Sequence, residues 1–364
     1  MKTRRMISTA IGAVVLALAT IAPSVSAAPA AGAVYSESNS PAGNSILVWT
    51  RNADGSLAPA GSVATGGVGT GAGLGSQGAV TLSADGDWLF AVNAGSNSIS
   101  AFRADGTGLA LADVEPSGGV RPTSVTAHGN LVYVLNAGGD GNIAGFRRHG
   151  GDLEPIAGSI RPLTNTAANP GQISFSPDGK FLVVVERANN RVVVYPVKNG
   201  VAGAPTFVAS PGAVPFGFAF TRNRTLVISE AATGTSSSYS LTPNGGLELI
   251  DAAVPDFQAA PCWYAATADG RFAYTTNAGS GTISGYEVRE DGTLRLLDAD
   301  GITASFGANT GPTDEAVSSD SRYLYAVLGR VGMIAAMRIE ADGSLTSLGT
   351  VPGLPAGAAG LAGI

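Results

Sequence analysis

Ser174-Phe-Ser-Pro-Asp-Gly-Lys-Phe-Leu-Val-Val-Val-Glu-Arg-Ala-Asn-Asn-Arg-Val-Val-Val-Tyr195 holds most of three short strands and the turns that join them. Ile173 to Phe175 is the first strand, and Pro177-Asp178-Gly179 is a tight turn that needs a glycine where φ is positive. Phe181 to Val185 is rich in β-branched residues and apolar on both faces, as expected of a strand buried on both. Glu186 to Asn190 reads as a polar loop, and Arg191 to Tyr195 as the third strand.

The unit recurs. Asn93, Asn136, Glu186, Glu230, Asn277 and Leu328 close its second strands, at spacings of 43, 50, 44, 47 and 51 residues. A fourth strand follows each of the turns Asp54-Gly55, Asp105-Gly106, Asn199-Gly200, Asn244-Gly245, Asp291-Gly292 and Asp342-Gly343, and Gly150-Gly151-Asp152 takes that place once. Several strands per unit at this period is the signature of a propeller blade. Six units are complete. Ala33 to Pro59 supplies a second, third and fourth strand without a first, and Leu354 to Ala362 reads as a lone first strand. Joining the two makes a seventh blade and closes the ring, which removes exposed sheet edges. The predicted fold is therefore all-β: one seven-bladed β-propeller of four-stranded antiparallel blades, spanning residues 28–364 as a single domain.

Bulk composition agrees. In 364 residues, 51 glycines and 20 prolines suit a turn-rich β protein, and 45% hydrophobic residues suffice for one large core. Lys2, Arg4 and Arg5, the apolar run Ile11 to Ile21, and Val25-Ser-Ala27 together read as a signal peptide, residues 1–27, cleaved near Ala27. The expected location is secreted or periplasmic, by the general or the twin-arginine route. The apolar run is too short for a membrane span. Without the three basic residues of that segment, 18 basic face 27 acidic side chains, a net charge of −9, so nucleic acid is excluded as a partner. Cys262 is the single cysteine, so no intramolecular disulfide forms, and the chain is expected to be a monomer.

Propeller topology sorts the polar residues by face. First strands line the central channel, and the loops between second and third strands share the top face with the segments leading into the first strands. Those segments place Gln77, Arg121, Gln172, Phe216, Trp263 and Asp314 around one opening, and the second-strand ends add Asn93, Asn136, Glu186, Arg187, Glu230 and Asn277. The repeated asparagines suit loop fixing by side-chain bonds to backbone. Glu186 and Glu230 break that repeat, Asp314 and Gln172 break the pattern of the entry segments, and any general base at the mouth would be Glu186, Glu230 or Asp314, with its pKa raised by burial. Phe216 and Trp263 are either a channel plug or a binding wall. His128 and His149 fall on bottom turns, away from this mouth, so a Ser-His or Cys-His arrangement is not expected there. Cys262 reads as a buried apolar side chain. Gly73-Leu-Gly75-Ser-Gln-Gly78 matches the dinucleotide fingerprint in letters, but a strand rather than a helix follows it. Asp298-Ala-Asp300-Gly301 lacks the later ligands of a calcium loop, and no His/Cys cluster has zinc spacing, so neither metal nor cofactor is expected.

The repeated Ser-Pro-Asp-Gly-(Lys/Arg)-(Phe/Tyr)-Leu pattern and the following Asp-Gly-(Thr/Ser)-Leu resemble the lactonase-type seven-bladed propellers. That family joins bacterial 6-phosphogluconolactonases with fungal 3-carboxy-cis,cis-muconate cycloisomerases. The chain looks most like an exported bacterial branch, on the motifs Asn44-Ser-Ile-Leu-Val-Trp49, Gly73-Leu-Gly-Ser-Gln-Gly78, Asn93-Ala-Gly-Ser-Asn97, Pro215-Phe-Gly-Phe-Ala-Phe220 and Thr276-Asn-Ala-Gly-Ser-Gly281. The resemblance implies that a lactone is opened or closed at the channel top with help from arginine, glutamate and histidine. Arg187, Glu186 and Glu230 match the first two roles, no top-face histidine matches the third, and Leu328-Gly329-Arg330 brings an extra arginine, Arg330. The expectation is an exported lactonase-like propeller that hydrolyses or cycloisomerises a small lactone or carboxylate ligand. Export argues against 6-phosphogluconate itself. A non-catalytic propeller that binds a ligand or protein at the same mouth is the second reading.

Overall fold

The computed structural model describes residues 30–106 and 108–364; the signal peptide expected at residues 1–27 lies outside them. Among the described residues there are seven antiparallel sheets, each with four strand positions from the channel outward. Blade 1 runs Val80–Leu82, Trp88–Asn93, Ser98–Asp105 and Gly108–Pro116. The inner strands of blades 2 to 6 are Val120–His128, Pro170–Phe175, Pro215–Phe220, Pro261–Ala266 and Pro312–Val317. Blade 7 takes its inner strand, Ala359–Gly363, from the C-terminus and its other three, Ala30–Glu37, Ser45–Asn52 and Leu57–Ala64, from the N-terminal part.

The stretch around Ser174 forms the expected strands in blade 3, each somewhat longer: Pro170–Phe175, Phe181–Glu186 and Arg191–Lys198. The turn between the first two is built locally. The Ser176 hydroxyl donates to the Asp178 carboxylate at 2.7 Å, the Gly179 N–H donates to the Ser176 carbonyl at 2.8 Å, and Gly179 has φ +67°. Thr267 with Asp269 and Ser318 with Asp320 repeat the hydroxyl–carboxylate bond.

Second strands are buried along their whole length in blades 1, 3, 4, 5 and 6. Each is pressed between neighbouring blades, so the core is a series of seams. Tyr133, Leu135 and Ile143 of blade 2, for example, pack against Ile173, Leu182, Val184 and Tyr195 of blade 3. At about 1.5–3 kcal/mol per fully buried large apolar side chain, such seams hold a ring that has no disulfide.

Four seams carry one further bond of a single type. A second-strand tyrosine donates its hydroxyl to the carbonyl of the turn glycine in the next blade. Tyr133 reaches Gly200 at 2.8 Å, Tyr274 reaches Gly343 at 2.8 Å, Tyr325 reaches Gly55 at 2.9 Å and Tyr35 reaches Gly106 at 3.2 Å. Gly55 shows why the turn residue must be glycine: its φ is +85°, and a Cβ there would sit 2.2 Å from the Tyr323 ring. The last two of these bonds fasten blade 7 on both sides.

Ring closure rests on the pairing of Val34 with Gly363, Tyr35 with Ala362 and Glu37 with Ala359. The Arg51 Nε adds a 2.7 Å bond to the Ile364 carbonyl. Ending the chain at Leu354 removes this strand and exposes the edge of Ala30–Glu37. The melting temperature should then fall by about 10 °C or more. A truncated chain that melts with the full-length protein would contradict closure through this blade.

Candidate functional site

The segment between blades 7 and 1 crosses the channel. The Ser76 hydroxyl donates to the Thr123 carbonyl of blade 2 at 2.7 Å, and the Gln77 N–H donates to the Gly171 carbonyl of blade 3 at 2.9 Å. Across the ring in blade 5, the Gln77 carboxamide donates to the Tyr264 carbonyl at 2.7 Å and accepts from the Tyr264 N–H at 2.8 Å. The Trp263 indole N–H donates to the Ser76 carbonyl at 2.9 Å. Close approach needs room: a Cβ on Gly217 would lie 2.3 Å from the Gln77 Oε1 and 2.4 Å from the Cys262 carbonyl oxygen. The crossing is therefore a floor for the top mouth and a roof for the channel.

Above this floor Phe216 packs on Trp263 with ring centroids 4.8 Å apart, and Cys262 joins the same buried cluster. The Arg187 guanidinium lies 4.9 Å over the Phe216 ring. Its Nε donates to the Asn169 carbonyl at 3.0 Å and its Nη2 to the Asn169 Oδ1 at 2.7 Å. Arg187 is only partly exposed and has no carboxylate partner among the described residues. Burial holds its pKa below the ordinary arginine value, with Cys262 opposing that shift and the Arg121 charge adding to it. Burial pushes the Cys262 thiol up to about 12, which leaves it no role as a nucleophile at neutral pH.

Glu186 and Glu230 do not join this mouth. Both carboxylates are fully buried within the top loops of their own blades. Glu230 accepts from the Ser210 hydroxyl (2.7 Å), the Gly212 N–H (2.8 Å), the Thr235 hydroxyl (2.6 Å) and the Ser237 hydroxyl (2.8 Å). Glu186 accepts from the Thr164 N–H at 2.9 Å, the Asn189 amide at 2.7 Å and the Thr164 hydroxyl. They are variants of the asparagine latch. Asn93 donates to Ser98 and Ser100, and Asn277 to Thr282 and Ser284, the same offsets at which Thr235 and Ser237 serve Glu230. The departure from the repeat reflects a change of latch chemistry, and the matching hydroxyls were its signal in the sequence.

The remaining candidates divide. Arg121 is exposed, with φ +54°, and Arg330 is exposed beside Gly311, donating to the Ala308 carbonyl at 3.1 Å. Gln172 does for blades 3 and 4 what Gln77 does across the ring: its carboxamide donates to the Phe218 carbonyl at 3.1 Å and accepts from the Phe218 N–H at 2.7 Å. Both glutamines, expected to hold a ligand, are spent on backbone. His128 packs on Phe175 and the bottom turn at Gly179, and His149 lies 3.5 Å from Glu154.

Beneath the floor is a channel cavity of about 270 Å³. Gln77, Thr81, Thr126, Gln172, Ser174, Asp314 and Glu315 supply its polar wall. Burial pushes Asp314 up to about 7, opposed by the Gly360 N–H and the Trp263 indole. Glu315 is held well above the ordinary carboxylate range by burial, with the Ala265 N–H opposing and Asp314 adding.

The sequence profile of the family "Lactonase, 7-bladed beta-propeller" matches residues 42–161 and 151–246. The chain belongs to this lactonase propeller family. No curated protein matches the chain in sequence. Among solved structures, this lactonase propeller is similar to the periplasmic gluconolactonase of Pseudomonas aeruginosa, at 19% identity and TM-score 0.68 over 90% of this chain and 98% of that one. It is similar to a Bacteroides fragilis protein put forward as a 6-phosphogluconolactonase, at 17% identity and TM-score 0.71 over 91% and 98%. It also shares its architecture with virginiamycin B lyase of Staphylococcus aureus, at 14% identity and TM-score 0.53 over 75% and 83%. At these identities the likeness is one of fold, and the fold carries more than one chemistry.

The latch role of Glu230 in this lactonase propeller has a direct check. Glu230→Gln turns an acceptor toward four donors into a group that itself donates, at a cost of about 1–3 kcal/mol. The variant should melt several degrees lower while any turnover per folded molecule is kept. Unchanged melting with turnover lost would return Glu230 to the role of base.

Proposed function

We propose that the chain is an exported hydrolase of small lactones, with the ligand seated on the top mouth and its developing or resident negative charge held by Arg187. The observation that carries this reading is the guanidinium itself. A partly buried arginine with no carboxylate partner among the described residues, fixed by Asn169 and laid over Phe216, stands ready for an anion. Family membership supplies the reaction class, and the Phe216–Trp263 pair, 5% and 8% exposed, offers a narrow apolar edge beside the guanidinium for a small ring.

Water adds to the acyl carbon, the acyl carbon–oxygen bond of the ring breaks, and the ring oxygen takes up a proton. The product is a hydroxy acid that releases its proton to solvent. Charge develops on the carbonyl oxygen as water adds and persists on the product carboxylate, and a fixed guanidinium stabilises both. With Glu186 and Glu230 enclosed in their loops, Arg187 is the group assigned to the chemistry, and Trp263 and Phe216 to the binding surface.

A panel of aliphatic, sugar and aromatic lactones, followed by acid release, tests the proposal. The parent should open at least one class well above the solvent rate. Arg187→Met keeps the packing stem and should lower kcat/KM about 10²-fold, with melting nearly unchanged. Arg330→Met, on the exposed rim, should have a far smaller effect. Binding of a lactone without turnover in the parent would instead establish a non-catalytic binding propeller.

A further inference from the structure

A groove on the bottom face, away from the mouth, lies where the seam between blades 3 and 4 departs from its neighbours. Tyr133, Tyr274 and Tyr325 bond the turn glycines of the next blades, and the Ser238 hydroxyl does the same for Gly292 at 2.8 Å. Blade 3 has Val183 where those tyrosines stand and Val194 where blade 4 has Ser238. Neither position therefore sends a hydroxyl to the Gly245 carbonyl of blade 4. Beside that turn a cavity of about 630 Å³ opens, against about 270 Å³ in the channel. Phe181, Pro196 and Val197 of blade 3 and Pro243 and Asn244 of blade 4 wall it, so rigid rings supply much of its surface.

The charge around the groove is one-sided. Lys180 and Lys198 both line it, and apart from Lys2 they are the only lysines in the chain. No aspartate or glutamate lines it. Lys198 has no carboxylate partner among the described residues. Asp178 lies 3.8 Å from the Lys180 Nζ, but Arg224 shares the same carboxylate oxygen at 3.3 Å. The Arg224 guanidinium also lies 6.0 Å from the centroid of the Phe181 ring. Three cations to one carboxylate leave this corner positive, although residues 28–364 carry 18 basic against 27 acidic side chains. An apolar hollow with cationic heads on its rim is complementary to an amphipathic anion. We propose that this groove is a second binding site, for a small organic anion with a flat apolar body. Its carboxylate is held by Lys180 and Lys198, and its ring lies against Pro196, Pro243 and the edge of Phe181. Ammonium groups act as point charges without a fixed fork, so the apolar wall decides which anion fits.

Having two lysines makes the test local. Reductive methylation with isotope-labelled formaldehyde keeps their charge and should give two dimethyl-lysine NMR signals, assigned with Lys180→Arg and Lys198→Arg. The probe 2-naphthoate should shift both signals along one saturable curve with submillimolar affinity. Naphthylmethanol, the same ring without the charge, should bind at least about tenfold more weakly, and acetate, the charge without the ring, should leave both signals in place. Calorimetry is run in an Arg187→Met background, which removes the cation of the mouth. There Lys180→Met and Lys198→Met should each weaken naphthoate binding about fivefold, and the double variant more than about tenfold. Both substitutions keep the apolar stem at an exposed position and should fold. Lysine signals that stay fixed in millimolar naphthoate, or that move equally with acetate or naphthylmethanol, would overturn the proposal. Naphthoate affinity unchanged in the double variant would do the same. No arm reads lactone turnover, so each outcome leaves the assignment of the mouth as it stands.

Discussion

Gln77 of blade 1 and Tyr264 of blade 5 stand on opposite sides of the ring, and two hydrogen bonds between a side-chain amide and a backbone amide join them. A propeller has no strand through its centre, so inner strands face one another across a channel that their own pairing does not fix. The crossing segment supplies that fixing. With Ser76 bonded to Thr123 and Trp263, and Gln77 to Gly171, blades 1, 2, 3 and 5 are held at set distances. Breaking one arm would leave the Tyr264 N–H and carbonyl unpaired in a buried place, a loss of about 1–3 kcal/mol for each group. The mouth inherits this rigidity, since its floor is the crossing itself.

Around the rim, stability is distributed differently. Each blade contributes an apolar second strand to two seams, and four seams add a tyrosine bond to the glycine carbonyl of a neighbouring turn. Closure repeats the same devices at blade 7, where strands from the two ends of the ring meet. The polar residues of the top loops, charged or not, serve mainly as latches. That leaves few free groups at the mouth, and Arg187 is conspicuous because no carboxylate among the described residues pairs with it.

Much of this was legible in the residues. The period of the second-strand ends, the Asx-Gly turns and the incomplete units at Ala33 and Leu354 gave seven blades and their closure, because each signal is local or repeats. The sorting of His128 and His149 to the bottom face followed from the same count. What the sequence hid was pairing over long range. Gly73-Leu-Gly75-Ser-Gln-Gly78 offered only a false fingerprint, since its partners Trp263 and Tyr264 lie 187 residues away and leave no trace at short spacing. Glu186 and Glu230 misled for another reason. An exception within a repeat suggests chemistry, yet Glu230 is surrounded by hydroxyls already present at the offsets that serve Asn93 and Asn277.

The central claim is that the crossing divides the channel and that the compartment above it, with Arg187, is the lactone site. A crystal structure with a cyclopentanone carboxylate, which keeps the ring and carbonyl of a γ-lactone but cannot be hydrolysed, tests this directly. The account predicts the ligand above Ser76–Gln77, its ring against Phe216 and an oxygen about 3 Å from the Arg187 guanidinium. A ligand ordered below Gln77 against the inner strands, or one that leaves Arg187 untouched, would contradict it.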